Sequence, residues 1–166
     1  MKPQYTPLAI ELVAEAEEGI VGLIDIECET QPQTICSPTL NSLPQVRGGM
    51  IWNLAVHPDF RRRGIARALL TEARNRAQQW QVAYLQAWTR DDPIARQWYL
   101  AQGFQPISSY LHVFLQGSKQ IGPALQCSIL GLMPVFAFAH YLGEDTPAIR
   151  RRFQRAHACC LYQLPL

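Results

Sequence analysis

Leu8, Ile10, Leu12 and Ala14 alternate with more polar neighbours, the period of two expected of a half-buried strand. Glu17-Glu18-Gly19 reads as a turn, and Ile20 to Cys28 predicts a second strand returning beside the first. Residues 30–49 scatter Pro32, Pro38, Pro44, Gly48 and Gly49 among polar residues and read as a long loop, a lid or an excursion. The apolar run Ile51 to Val56 predicts a buried strand, which His57-Pro58-Asp59-Phe60 breaks because proline cannot continue a ladder. Apolar positions at Ile65, Leu69, Leu70, Ala73, Ala77 and Trp80 then follow a helical period. Val82 to Ala87 is a further apolar strand. Asp92-Pro93 is a helix start, with aspartate as N-cap and proline at the first helical position. That helix is expected to bury Ile94, Ala95, Trp98 and part of Tyr99, and to end with Gly103 at C′. Tyr110 to Leu115 predicts the next strand. Gly117 to Gly143 mixes glycine, proline and apolar residues, notably from Leu132 to Tyr141. Thr146-Pro147 then predicts a basic helix to about His157, capped by Thr146, and Cys159 to Leu164 a final strand.

A chain of 166 residues suits one domain with a proper core. No apolar run reaches membrane-spanning length and no signal pattern opens the chain, so a cytoplasmic protein is expected, without a membrane partner. The five cysteines (Cys28, Cys36, Cys127, Cys159, Cys160) lack metal-ligand spacing and read as reduced thiols; no metal is expected. Net charge is only +2, but it is unevenly spread. Residues 1–29 hold Glu11, Glu15, Glu17, Glu18, Asp25, Glu27 and Glu29 against Lys2, while arginines cluster at Arg61–Arg63 and Arg150–Arg152. A basic site for an anion beside an acidic wall for a cationic amine fits this distribution; so does the wet face of an antiparallel hairpin.

The strand–turn–helix from Ile51 to Gln78 has a chemical use. The first amides of a helix have no partner inside it and carry the positive end of its dipole. Gly64 lets the backbone come close to a ligand, and Arg61, Arg62 and Arg63 surround the same spot, so the site suits an anion such as a diphosphate. It is neither a P-loop nor a dinucleotide GxGxxG, whose lysine or extra glycines are missing.

Leu54-Ala55-Val56-His57-Pro58-Asp59-Phe60-Arg61-Arg62-Arg63-Gly64-Ile65-Ala66 resembles motif A of the GCN5-related N-acetyltransferases. Ala95-Arg96-Gln97-Trp98-Tyr99-Leu100-Ala101-Gln102-Gly103-Phe104 resembles that family's second signature, a helix carrying tyrosine and ending in Gly-Phe. The resemblance covers roughly residues 8–115. It implies an α/β (α+β) fold: a mixed, mostly antiparallel sheet with helices on both faces, here lacking the family's first strand and first two helices. It also implies one domain over residues 1–166, with a core at 8–115, an insertion at 117–157 and a last strand at about 159–164. The insertion is expected to replace the missing helices as the acceptor wall.

Acetyl-CoA, or CoA, is the cosubstrate the resemblance implies. The amides and side chains of Arg61, Arg62, Arg63, Gly64, Ile65, Ala66 and Arg67 would receive the diphosphate. The backbone of Leu54, Ala55 and Val56 would pair with the pantetheine arm, provided that this strand splays from Val82–Trp88. Asp92 falls where many relatives carry an asparagine that touches CoA, and its own chemistry also makes it an N-cap. Tyr99 matches the tyrosine that serves relatives as general acid toward the sulfur, and a phenol near pKa ~10 can protonate a thiolate; at helical spacing it also reads as core. The position of the family's glutamate base holds Ala87, and neighbouring Gln86 is no base; Asn53 could hold a water. His57 reads as structural, and His112 and His140 as surface or packing residues that could also face an acceptor cleft.

These readings point to transfer of acetyl from acetyl-CoA to a primary amine of a small molecule or peptide, by direct attack, since no cysteine lies near motif A. The alternative is a catalytically inactive CoA-binding module of the same fold, motivated by Ala87. A nucleic-acid partner, suggested by the arginine clusters, is not expected at this net charge. The oligomeric state is open, a homodimer through a shared sheet edge being one arrangement.

Overall fold

The computed structural model describes residues 8–37, 46–125 and 127–166. The middle of the proline-rich loop expected at 30–49, residues 38–45, lies outside them. Among the described residues seven strands form one mixed, mostly antiparallel sheet in the order β1-β2-β3-β4-β7-β5-β6. They are β1 Ala9–Ala16, β2 Gly19–Cys28, β3 Arg47–Val56, β4 Val82–Arg90, β5 Gln105–Gln116, β6 Phe136–Tyr141 and β7 Arg155–Pro165. Four helices accompany them: α1 Ile65–Gln79, α2 Pro93–Ala101, α3 Ser118–Ile121 and α4 Thr146–Arg152. No helix among the described residues is long and apolar enough to cross a membrane.

The core follows from the two periodicities. On α1, Leu69, Leu70, Ala73 and Ala77 are buried, one stripe at helical spacing. They pack on Ile10 of β1, Ile24 and Ile26 of β2, Ile51 of β3 and Leu85 of β4, every second residue of each strand. Gly22 of β2 must stay small: a Cβ there would stand 2.9 Å from Ile65 and 3.3 Å from the Ala55 carbonyl. Tyr99 of α2 belongs to the same core with Phe104, Tyr162 and Leu164. Ile121 and Ile149, from α3 and α4, meet Leu111, Val113, Leu115 and Ala156. Tyr162 and Ala156 are six residues apart on an unbroken strand, so they project from the same face. All four helices therefore bury side chains against one face of the sheet.

The second face is packed differently. Where helices were expected, residues 29–37 lie over its middle. Glu29 is fully buried; its Oε1 accepts from the amides of Ile35 (2.9 Å) and Cys36 (2.8 Å), and Oε2 from that of Gly48 (2.8 Å). Gln86 completes the clamp, accepting from the Ser37 amide and donating to the Ser37 carbonyl, both at 2.9 Å. Cys36, Met50 and Tyr84 fill the space beneath. Glu29 is thus an organiser of backbone and no part of an acidic wall.

Other expectations shift at their edges. Asp92 caps α2, its Oδ1 accepting from Ile94 and Ala95 amides, and Gly103 follows with φ 88°. Ile94, expected in the core, is 79% exposed, because Tyr99 rather than Ile94 lies on the side of α2 that meets the sheet. The N-cap of α4 is Asp145, whose side chain accepts from the Ala148 amide, not Thr146. That helix ends at Arg152, short of His157, and β7 begins at Arg155. Residues 48 and 49, read as loop, extend β3 to Arg47.

Candidate active site

The parallel ladder between β3 and β4 runs from the Arg47–Val82 pair to the Ile51–Ala87 pair and stops. Both strands continue. β3 stays with β2 as far as Val56, opposite Gly22, and β4 stays with β7 as far as Arg90, opposite Cys159. Two strands that remain paired outward but not to each other open a wedge between them. A bulge sharpens it. Asp25 pairs with Asn53 but Ile26 with Ile51, which leaves Trp52 as an extra residue on β3. Past Ile51, β3 offers a free edge to any extended chain that enters the wedge.

At the wedge's end the turn delivers the N-terminus of α1. Pro58–Phe60 form a short 3₁₀ turn whose cap is His57: its Nδ1 accepts from the Asp59 amide at 3.4 Å, a structural role. Arg62 (φ 64°) and Gly64 (φ 83°) both adopt the left-handed conformation, which is natural for glycine and uncommon for arginine. The first bond of the helix runs from the Ala68 amide to the Gly64 carbonyl, so the amides of Ile65, Ala66 and Arg67 point out of the helix unpaired within it. A Cβ on Gly64 would meet no protein atom within 4 Å, so the N-cap of the helix is open to its surroundings.

The arginines divide their work. Arg61 Nε donates to the Val56 carbonyl at 3.4 Å; an Arg63 nitrogen donates to the Asp59 carbonyl at 3.0 Å, with its guanidinium 4.8 Å from the Phe60 ring. These two stiffen the turn, while Arg62 and Arg67 are exposed beside it. Unpaired amides, a dipole end and local positive charge match the chemistry of a diphosphate.

Tyr99 lies on the helix-covered side, 9% exposed, edge-on to Trp98 and Phe104 and stacked at 5.8 Å on Tyr162. Tyr162 pairs with Ala87, the last β4 residue bonded to β3, so Tyr99 stands below the root of the wedge. Burial pushes its phenol up to about 12, so it is neutral, and a weak acid, near neutrality. Arg96 of α2 donates to the Tyr162 hydroxyl at 3.2 Å and fixes that second ring; the residue pattern did not single it out. Ala87 is fully buried and supplies no base. Asn53 is held by Asp25, Nδ2 to Oδ2 at 3.3 Å. The Cys28 thiol, in the core beneath β3, is pushed up to about 11 by burial and is a poor nucleophile near neutrality.

His112 and His140 lie on the other side of the sheet, Nε2 to Nε2 at 3.1 Å, with Cys159 Sγ 3.5 Å from His112 Nδ1. Burial, then His140, Arg90 and His157, lowers the pKa of His112. Asp91, next to the N-cap, receives Arg150 and His157 at 3.6 and 3.7 Å and so ties α4 and β7 to the end of β4. No group of three metal-ligating side chains occurs among the described residues.

Comparison with known proteins agrees with this geometry. The sequence model of a family described as "Acetyltransferase (GNAT) domain" matches residues 8–106, more than half of the chain. The fold is similar to that of the ribosomal-protein-S18-alanine N-acetyltransferase from Escherichia coli, at 14% identity and TM-score 0.54, covering 97% of this chain and 71% of that one. It is also similar to Arabidopsis thaliana NAA60 in complex with a bisubstrate analogue (15% identity, TM-score 0.56, 89% and 66% covered). A Bacillus anthracis protein described as a streptothricin acetyltransferase, in complex with acetyl coenzyme A, gives 13% identity, TM-score 0.54, and 98% and 65% coverage. No curated protein sequence matches. At these identities the structures speak for the fold, and the sequence match for the family. The chain belongs to the GNAT acetyltransferase family, whose cosubstrate is acetyl-CoA.

Proposed function

We propose that the protein transfers the acetyl group of acetyl-CoA to a primary amine of a small molecule or peptide, with the wedge between β3 and β4 as the site of reaction. The observation that carries this reading is the end of the ladder at Ile51–Ala87 in front of the unpaired amides of α1. The diphosphate of CoA fits Arg61 to Arg67, and the pantetheine arm the free edge at Leu54, Ala55 and Val56. Asp92, whose side chain already caps α2, would approach the cofactor with its backbone only.

The reaction needs the amine lone pair to attack the thioester carbonyl carbon, a C–N bond to form and the C–S bond to break. The amine loses a proton to solvent or to a water held near Asn53, and the departing thiolate gains one. Tyr99 is the donor we assign to the thiolate, because it lies on α2 below the point where the β3–β4 ladder ends. Direct attack accords with the raised thiol of Cys28.

Thiol release from acetyl-CoA over a panel of amines tests the reading. Tyr99→Phe should lower kcat by about 10- to 100-fold and leave the affinity for CoA within about twofold. Unchanged kcat would remove Tyr99 from the reaction. Ala87 favours one second reading, a CoA-binding module without turnover; saturable CoA binding with no thiol release on any amine would establish it.

A further inference from the structure

Along most of the edge strand β6 the pattern is reversed. On β6, Phe136, Phe138 and His140 are exposed, while the positions between them, Ala137 and Ala139, face the core. On β5, Leu111, Val113 and Leu115 are buried beneath α3 and α4, and the alternate face carries Tyr110, His112 and Phe114. The register sets His112 opposite His140 and Phe114 opposite Phe138. Folding alone asks for large side chains inside and small polar ones outside. Here Phe136 and Phe138 are 51% and 49% exposed, while the inward positions of the same strand hold Ala137, Ala139 and Tyr141, all half-buried. A contiguous aromatic surface of this kind marks a place where something binds.

The rings are organised, and their line begins at the wedge. Trp88 follows Ala87, so it is the first β4 residue beyond the ladder with β3. Its ring lies 4.8 Å from that of Tyr110, which stacks on His140 at 4.0 Å and 24°. Phe138 continues the line, 4.4 Å from His112 and 5.3 Å from Phe114. Charge differs across the wedge. On the same face of β1 and β2 stand Glu11, Asp25 and Glu27, with Glu27 Oε2 accepting from the indole of Trp52 at 2.8 Å. On the aromatic side stand Arg90, Asp91, which is held by Arg150 and His157, and Arg155, with its guanidinium 4.6 Å from the Phe114 ring.

We propose that the tract Trp88–Tyr110–His140–Phe138 is the acceptor subsite, and that the acceptor is a primary amine borne on an aromatic or other planar apolar body. The inference rests on the acetyl-transfer reading and names its second substrate. Trp88 stands where the β3–β4 ladder stops, and the surface continuous with it is a floor of rings. Asp25, on β2 next to β3 and hydrogen-bonded to Asn53, adds negative charge on the opposite side of the wedge, which favours the ammonium end there. A second ammonium farther out would lie over apolar rings beside Arg155, so hydrophilic polyamines fit poorly. The aromatic floor offers stacked and edge contacts to a planar group.

The test uses the full chain, acetyl-CoA, and four amines: 2-phenylethylamine, 4-phenylbutylamine, ethanolamine and putrescine. The aryl amines should exceed the hydrophilic pair at least tenfold in kcat/KM. Phe138→Ala should raise KM for 4-phenylbutylamine severalfold, with KM for acetyl-CoA unchanged. Trp88→Ala should raise it for both aryl amines; if that variant fails to fold, the half-exposed Phe138 still decides. Equal use of both amine classes, or a Phe138→Ala variant with unaltered KM, overturns the subsite while acetyl transfer stands. No acetyl-CoA binding by the parent chain overturns both. A dimer that Phe138→Ala converts to monomer in sedimentation, with KM unmoved, would make this face a subunit interface and also overturn the proposal.

Discussion

The two ends of the wedge are built from different materials. At the α1 end the candidate binding groups are main-chain amides of Ile65 to Arg67 and the free edge of β3, set by a short stretch of chain. At the Trp88 end they are side chains from β4, β5 and β6, brought together over residues 88–140. A backbone site depends on conformation and tolerates changes of side chain; a side-chain site depends on composition and tolerates little else. The two faces of the sheet repeat the contrast. One is a closed core under four helices, the other a clamped loop and an open run of rings.

Stability offers the largest break in that comparison. Leu85 is fully buried between α1 and the sheet, and Leu85→Ala should cost about 2–5 kcal/mol in denaturant unfolding. Phe138 is larger but half exposed, and Phe138→Ala should cost only about 1 kcal/mol. Equal losses would show that the open face is packed against something in solution. Next in size is Gly64→Val. A β-branched residue at φ 83° is strained, so the turn that presents the helix amides would be distorted. Affinity for CoA should fall at least tenfold, about 1.4 kcal/mol, with KM for the amine little changed. A variant with parental CoA affinity would move the diphosphate away from α1.

The smallest expected effect is on alkaline stability. Burial raises the folded pKa of Tyr99 to about 12 and of Cys28 to about 11, each above its unfolded value. Such groups contribute stability that is complete below the unfolded pKa and lost as pH rises through the folded one. The denaturation midpoint should therefore decline from about pH 9 as thiols ionise, and further from about pH 10 with the phenol. Tyr99→Phe should flatten the upper part of that decline, and an unchanged curve would contradict the burial of its hydroxyl.

The same difference in materials decides what could be read from sequence. The strand, the Pro58 break, Gly64 and the apolar stripe of α1 are local signals, and they place the helix N-terminus correctly. Asp92 and Gly103 bracket α2 for the same reason. The wedge itself is a place where pairing stops, and nothing in Ile51–Val56 or Val82–Ala87 marks the residue at which two apolar strands part. β6 went unread because Gly131 and Pro134 break up the segment before it, although Phe136-Ala137-Phe138-Ala139-His140 carries a period of two. Its alternation was also misleading in sense, since the alanines and not the phenylalanines face inward. Glu29, in a row with Asp25 and Glu27, looked like one more wall carboxylate; only the fold shows three backbone amides around it.

The central claim is that CoA lies along β3 with its diphosphate on the first amides of α1. Proton–nitrogen correlation spectra recorded during titration with CoA test it most directly. The account predicts saturable shifts at the amides of Ile65, Ala66 and Arg67 together with those of Leu54 to Val56. Saturation with shifts confined to other strands, or no saturation at millimolar CoA, would contradict it.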